Sequence, residues 1–182
     1  MTTTMMKKLL LFLMCGFLLT GCATIKQKTA AIKQKQAEAK INKKVDALSD
    51  LKGATVEPVT EADGTTALKV TFDSGILFDF NQTELGDEAK AELDRLVKSI
   101  ADMPDSHIRV QGHTDIVGSA EVNQAKSTER ANEVAKYLEE KGISPDRITA
   151  EGLSFNVPVA DNSTEEGRAK NRRVEIYVIP AL

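Results

Sequence analysis

Apolar and polar residues follow one another with two distinct spacings between residues 51 and 182. Alternation of apolar and polar positions, with many β-branched residues, predicts strands. The five predicted strands are Thr55–Val59, Ala67–Phe72, Ile108–Gly112, Arg147–Glu151 and Arg173–Ile179. The Asp63-Gly64 pair between the first two strands is typical of a hairpin-like turn.

Apolar residues at helical spacing predict two helices in the same region. The first is expected over residues 83–100, with Thr83 as its N-cap. The second is expected over Ser119–Lys141, with Gly142 as its stop. The residues expected to face inward in the second helix are Val122, Ala125, Val134 and Leu138. The short apolar stretch Gly75–Phe80 is interpreted as a strand or a loop. This order of elements predicts a layered α/β or α+β domain with helices packed on one sheet.

The first 21 residues have the features of a secretory signal peptide. Lys7 and Lys8 precede an apolar run, Leu9–Leu19, which is too short to cross a bilayer as a helix because a span needs about 20 residues. Leu19-Thr20-Gly21-Cys22 resembles the lipobox of bacterial lipoproteins. The resemblance implies that residues 1–21 are removed and that Cys22 is acylated, and Ala23 after it favours the outer membrane. The alternative is an ordinary signal peptide that ends in cysteine.

Residues 22–50 are rich in lysine, alanine and glutamine, with seven lysines against three acidic residues. They are mostly good helix formers, which predicts a solvated helical or partly disordered linker. A coiled coil is the other interpretation, because Ile25, Ile32 and Ala39 are seven residues apart. A homo-oligomer formed through this helix is therefore left open. A lysine-rich segment beside a membrane also attracts anionic head groups.

Residues 51–182 have the opposite charge balance, with 15 basic against 24 acidic residues, and are long enough for one domain with one core. No basic patch with interleaved aromatic residues occurs, so nucleic acid is not an expected partner. No Gly-x-Ser-x-Gly element and no cysteine in this region offers a nucleophile. His107 and His113 have no third ligand at zinc spacing. We therefore expect no enzyme activity, no metal and no other cofactor.

A carboxylate and a guanidinium lie around one predicted strand-to-helix connection. Asp115 follows the strand that ends at Gly112, and Arg130 lies in the next helix, two turns from Asn123 and on the same face. Loops held by a rigid sheet often carry binding groups. If they face a common groove, Asp115 and Arg130 would hold the ammonium and the carboxylate of one zwitterionic ligand through charge-assisted hydrogen bonds.

The same region resembles a known family in an ordered series of motifs. The residues that carry the resemblance are Gly112-His113-Thr114-Asp115, Gly118, Asn123, Ser127, Arg130-Ala131 and the run Gly167-Arg168-Ala169-Lys170-Asn171-Arg172-Arg173-Val174-Glu175. They are similar to the OmpA-like C-terminal domain, and the similarity covers roughly Gly75 to Ile179. This family implies a mixed βαβαβ sheet with helices on one face. One departure is Lys126, where the family usually has leucine.

The resemblance implies non-covalent binding of peptidoglycan through the diaminopimelate of its stem peptide, whose free end carries an ammonium and a carboxylate. It assigns the ammonium to Asp115 and the carboxylate to Arg130, with Asn81, Asn123 and Arg172 as supporting contacts. With the lipid anchor, it implies a Pal-like outer-membrane lipoprotein whose domain, residues 51–182, lies in the periplasm and tethers the membrane to the wall. The alternative is an envelope module that docks a periplasmic protein partner, with wall binding secondary.

The site residues also have structural interpretations. Asp115 would be a helix cap, and Arg130 would belong to a surface ion pair with Glu133. The structural interpretation of the remaining arginines is an ion-pair network that contains Arg168, Arg172 and Arg173. His113 is expected to be a structural histidine with its hydrogen bonds satisfied.

Overall fold

The structure is a computed structural model that describes residues 27–79 and 82–181. The chain forms two compact units, of which the first ends at Ala37 and the second is Glu38–Ala181. In the first unit, residues 27–37 are helical and largely exposed. The predicted signal peptide and the lipidation site Cys22 lie outside the described residues. None of the helices in the described ranges is long and apolar enough to cross a membrane.

The second unit begins with helical residues 38–48, here called α1. Ile41 is fully buried and Leu48 is 2% exposed, and both belong to the hydrophobic core. The ammonium of Lys44 lies 2.8 Å from a carboxylate oxygen of Asp102. The sequence placed the end of the linker at residue 50, but the compact unit already starts at Glu38 because the sparse apolar residues of this helix are buried.

A five-stranded mixed sheet forms the centre of the second unit. Its strands are β1 (Ala54–Thr60), β2 (Thr66–Asp73), β3 (His107–Gly112), β4 (Ile148–Gly152) and β5 (Arg173–Ile179). They are ordered β1-β2-β5-β3-β4, and the β3–β4 pair is parallel while the other pairs are antiparallel. All five predicted strands and the mixed α+β sheet are thus confirmed.

Four further α-helices accompany the sheet: α2 (Ser74–Leu77), α3 (Asp87–Ile100), α4 (Ala120–Glu140) and α5 (Glu165–Asn171). A 3-10 turn, Pro145–Arg147, precedes β4. The expected strand or loop at Gly75–Phe80 is wrong for residues 75–77, which belong to the one-turn helix α2. The expected cap at Thr83 is also wrong. Leu85 forms an extended bridge with Phe78, so α3 begins only at Asp87.

The second predicted helix, α4, has nearly its expected bounds, and the Ser119 hydroxyl caps it by accepting a hydrogen bond from the Val122 N–H at 3.3 Å. Two of its expected inward residues, Val122 and Ala125, are exposed instead. The first half of α4 buries polar side chains, among them Asn123 and Arg130, because this part of the helix faces a cleft rather than the core.

The two faces of the sheet differ in chemistry. Alternate residues of β5, Val174, Ile176 and Val178, are fully buried in a core shared with α1, α3 and α4. On the opposite face, Glu175 pairs with Arg173 at 2.7 Å and accepts a hydrogen bond from the Tyr177 hydroxyl at 2.6 Å. Burial alone would raise the pKa of Glu175, but these two bonds lower it to about 2. One face is thus apolar and helix-covered, while the other carries an ionic network.

Candidate functional site

A cleft of about 560 Å³ lies at the end of the sheet where β2 and β3 finish and β5 starts. Its walls come from α2, the loop after β3, the first half of α4 and the two ends of α5. The charged side chains that line it are Asp79, Asp115, Lys126, Arg130, Glu165 and Arg172. With three acidic and three basic groups, the lining suits a ligand that carries both charges.

Glycine at the end of β3 allows α4 to approach closely enough to form one wall of the cleft. A Cβ atom on Gly112 would lie 2.1 Å from the backbone oxygen of Ser127, far inside van der Waals contact. The loop between β3 and α4 is also fastened to the helix, because the Asn123 amide donates to the Val117 carbonyl at 3.1 Å. Gly118 in this loop has φ +103°, a conformation that favours glycine. The loop therefore stays close to α4, through the close packing at Gly112 and through the Asn123 hydrogen bond.

Asp115 lies in the loop between β3 and α4 and is buried, with 8% of the residue exposed. Its Oδ1 accepts a hydrogen bond from the Val117 N–H at 2.9 Å, which closes an Asx turn. Its Oδ2 accepts a hydrogen bond from Arg172 Nη1 at 2.6 Å. The interpretation of Asp115 as a helix cap is wrong, since Ser119 caps α4. Its carboxylate instead faces the cleft.

Arg130 is 7% exposed and projects from α4 into the same cleft. Its Nε and Nη2 donate to the Gln82 carbonyl at 3.4 and 3.3 Å, and its guanidinium lies 5.0 Å from the centre of the Phe78 ring. Within residues 27–79 and 82–181, no carboxylate forms a salt bridge with it, so the predicted surface ion pair with Glu133 is wrong. Burial lowers the pKa of Arg130, and the positive charge of Arg172 lowers it further. An anion in the cleft would relieve both effects.

Arg172 joins two acidic groups at the edge of the cleft. Besides its bond to Asp115, its Nη2 donates to Glu165 Oε1 at 2.9 Å. The hydrogen bond to Asp115 raises the pKa of Arg172. The other two arginines of the motif are structural: Arg173 is buried with Glu175, and Arg168 donates to backbone carbonyls of the loop before α5. Arg168 also pairs with Glu165 at 2.8 Å, so the predicted ion-pair network is confirmed for all three arginines.

The supporting residues predicted from sequence have different outcomes. Asn123 is 4% exposed and lines the cleft, where it also fixes the β3–α4 loop. Asn81 lies outside the described residues. The lining residues that were not predicted include Phe78, Asp79 and Glu165. The Phe-Asp-Phe stretch after β2 was the available signal for the first two, and a charged turn beginning a short helix was the signal for the third.

His113 lies next to the site but does not belong to the cleft lining. It is 1% exposed, and neither ring nitrogen has a hydrogen-bond partner among the described residues, so the expectation of a satisfied histidine is wrong. Burial, with the positive charge of Arg173 second, lowers its pKa to about 4. The ring is therefore neutral at pH 7. The described ranges contain no group of three or more His, Cys, Asp and Glu residues that could hold a metal ion.

The fold and cleft together define a mixed-sheet domain with a cleft lined by charged side chains of both signs. The model of the OmpA family matches residues 77–172, more than half of the chain. The chain belongs to the OmpA family.

Individual relatives agree with this assignment. Outer membrane protein A of Bordetella avium is 40% identical over 113 residues, which are 62% of this chain and 58% of that protein. Peptidoglycan-binding protein ArfA of Mycobacterium tuberculosis is 44% identical over 86 residues, 47% of this chain and 26% of ArfA. The crystal structure of the peptidoglycan-associated lipoprotein of Burkholderia pseudomallei has a TM-score of 0.51 at 32% identity, covering 56% of this chain and 87% of that one. The chain thus spans little more than half of the first relative and about a quarter of the second.

Proposed function

We propose that this protein is an outer-membrane lipoprotein that binds peptidoglycan non-covalently and so tethers the outer membrane to the cell wall. The domain would lie in the periplasm, acylated Cys22 would provide the anchor, and the ligand would be the zwitterionic end of diaminopimelate in the stem peptide. The protein would act as a binder and not as an enzyme. The names of the relatives support the wall, the outer membrane and the lipoprotein elements of this proposal.

The observation that carries the proposal is the pair of buried opposite charges in one cleft. Asp115 offers an acceptor for an ammonium, and Arg130 is a buried guanidinium with no carboxylate partner in the described parts of the chain. A bidentate bond from the guanidinium fork to a ligand carboxylate would supply the missing counter-charge. Each charge-assisted bond is worth about 1.5–3 kcal/mol, so a single site would be weak. A polymer that repeats the ligand would compensate by multivalency.

Sedimentation with purified sacculi tests this site. The informative variant is Asp115→Asn, which removes the charge and keeps an oxygen that can accept the Val117 N–H of the Asx turn. Its matched control is Asp63→Asn, because Asp63 accepts the Thr65 N–H at 2.8 Å in the same kind of turn, within the β1–β2 connection. We expect Asp115→Asn to remain in the supernatant and Asp63→Asn to sediment with wild type. Retention of Asp115→Asn on sacculi would refute the assignment.

The anchor and the absence of catalysis need separate measurements. Mass spectrometry of the mature N-terminus should find acyl chains on Cys22, and an unmodified cysteine would remove the lipoprotein part of the proposal. Incubation of the protein with sacculi should release no soluble fragments. Soluble fragments whose amount increases with incubation time would indicate a hydrolase.

One observation favours a second candidate, the docking of a periplasmic protein. Ile116, Val117 and Val122 are 53%, 65% and 60% exposed, and Val117 lines the cleft. A group of exposed apolar side chains is typical of a protein interaction surface. A partner bound there would cover them. Capture of a periplasmic protein that is lost when these residues become serine, while sacculus binding is unchanged, would favour this second function.

A further inference from the structure

Arg172 occupies the carboxylate that the ammonium of the proposed ligand requires. Its Nη1 donates to Asp115 Oδ2 at 2.6 Å, while Asp115 Oδ1 already accepts the Val117 N–H. Both oxygens therefore have a partner within the protein, and only 11% of the Asp115 side chain is exposed. A ligand ammonium must replace Arg172 at Oδ2, since the buried carboxylate offers little room for a further donor.

Arg172 has a second carboxylate to hold it when it leaves the first. Its Nη2 donates to Glu165 Oε1 at 2.9 Å, and the side chain of Glu165 is 64% exposed. Glu165 begins α5 and Arg172 directly follows its last residue, so the same short helix carries both groups. Loss of the Asp115 bond would therefore not leave the guanidinium without a counter-charge.

The two guanidinium groups of the cleft also act on each other. Arg130 and Arg172 both line it, and the charge of Arg172 is, after burial, the next cause that lowers the pKa of Arg130. A carboxylate placed between two such groups is attracted by both. The arginine fork is suited to sharing one carboxylate in this way.

We propose that Arg172 exchanges partners when the zwitterion binds. It yields Asp115 to the ligand ammonium and turns, still held by Glu165, to share the ligand carboxylate with Arg130. The inference rests on the proposed function and adds a basis for specificity. A simple amine must displace Arg172 without offering it a new partner, whereas a zwitterion supplies one. Arg172 therefore selects ligands that carry a free carboxylate beside the ammonium.

Calorimetric titration of Arg172→Gln with two probes tests the exchange. The probes are meso-diaminopimelic acid and its diamide, which retains the ammonium groups and lacks the carboxylates. We expect the ratio of the affinity for the acid to the affinity for the diamide to fall at least about tenfold in the variant, because the charge-assisted bond from Arg172 to the ligand carboxylate is lost. We expect it to bind the diamide more tightly than wild type, because Asp115 is then unoccupied. Arg172→Lys keeps the charge and should still prefer the acid.

Arg95→Gln is the matched control. Arg95 is also 37% exposed and also joins two carboxylates, those of Asp50 and Glu92, but it does not line the cleft. It should bind both probes as wild type does, and circular dichroism should show all three variants folded.

The pattern across the two probes separates the alternatives. If Arg172→Gln weakens both probes, Arg172 only supports the loop, and if it strengthens both equally, Arg172 only blocks the site. Either result, or no change for either probe, overturns the exchange. The proposed function still stands in these cases if the wild-type protein binds the acid and sacculi. Wild type that binds neither the acid nor sacculi refutes the proposed function and the exchange together.

Discussion

Replacement of Arg130 by methionine should strongly weaken wall binding without loss of stability. The guanidinium is 7% exposed and has no carboxylate partner in the described ranges, and its two bonds to the Gln82 carbonyl are long, at 3.4 and 3.3 Å. Methionine is a flexible apolar side chain of similar length that can keep the contact with the Phe78 ring. The protein therefore keeps a buried, unfavourable charge in its free state, and under the proposed function this charge binds the ligand carboxylate.

The expected changes in the free energy of unfolding and in the affinity for the wall have opposite signs. For folding, the variant loses a cation–π contact worth about 0.5–1 kcal/mol and two long hydrogen bonds. It also avoids the burial of an unpaired ion, which costs several kcal/mol before water in the cleft reduces it. We expect the free energy of unfolding to stay level or to rise by about 1 kcal/mol. For binding, the lost carboxylate bond of about 1.5–3 kcal/mol corresponds to roughly a 10- to 150-fold weaker dissociation constant.

Urea titration and sacculus sedimentation measure these two quantities on the same samples. Arg147→Met is the control, because Arg147 donates to the backbone carbonyls of Ser106 and Met103 at 2.8 and 3.1 Å, away from the cleft. The control should be less stable and still bind. Sedimentation of Arg130→Met like wild type would contradict the binding role. A free energy of unfolding lowered by more than about 2 kcal/mol would show instead that Arg130 is a structural residue.

Three other predictions concern a glycine, a histidine and the N-terminal helix. Gly112→Ala places a Cβ 2.1 Å from the Ser127 carbonyl oxygen, so urea titration should show a loss of about 1–3 kcal/mol; an unchanged midpoint would contradict the close contact. The folded-state pKa of His113 is about 4 against 6.5, so the unfolded state binds more protons between these values. Stability should therefore fall as pH drops from 6.5 to 4, by at most about 3 kcal/mol, and His113→Gln should flatten this part of the pH profile. A chain that begins at Glu38 should keep the wild-type melting temperature, whereas one that begins at Leu51 should lose several kcal/mol because it lacks two core side chains, each worth about 1.5–3 kcal/mol; equal melting temperatures would be inconsistent with the packing of α1.

The strands and α4 could be predicted because their apolar periodicity is set by burial against one core. The prediction was wrong where a helix faces something other than that core. The start of α4 exposes Val122 and buries Asn123, since its inner side borders a polar cleft. The seven-residue helix α5 has no apolar stripe, and a Cβ on Gly167 would lie 1.9 Å from the Asp161 carbonyl oxygen. Its position depends on tertiary contact, which periodicity does not report.

The candidate site was predictable to a similar degree. The sequence suggested that Asp115 and Arg130 share a groove, and the structure places both in one cleft, while their binding role stays a prediction. The contact of Asp115 with Arg172, 57 residues further along the chain, was not predicted as an ion pair. Local spacing carries no information on such a pair, because it forms only when β5 lies beside β3 in the sheet.

The position of α1 bears on how the protein would respond to force. If the N-terminus is held in a membrane and the cleft holds the wall, tension enters the compact unit through α1. That helix is secured by Ile41, Leu48 and the ion pairs with Asp102, which lies two residues after the end of α3. Pulling would strip these contacts before it strained the hydrogen bonds between β2, β5 and β3 that support the cleft. The helix would then detach first and lengthen the connection under load, while the cleft remains folded and bound to the wall.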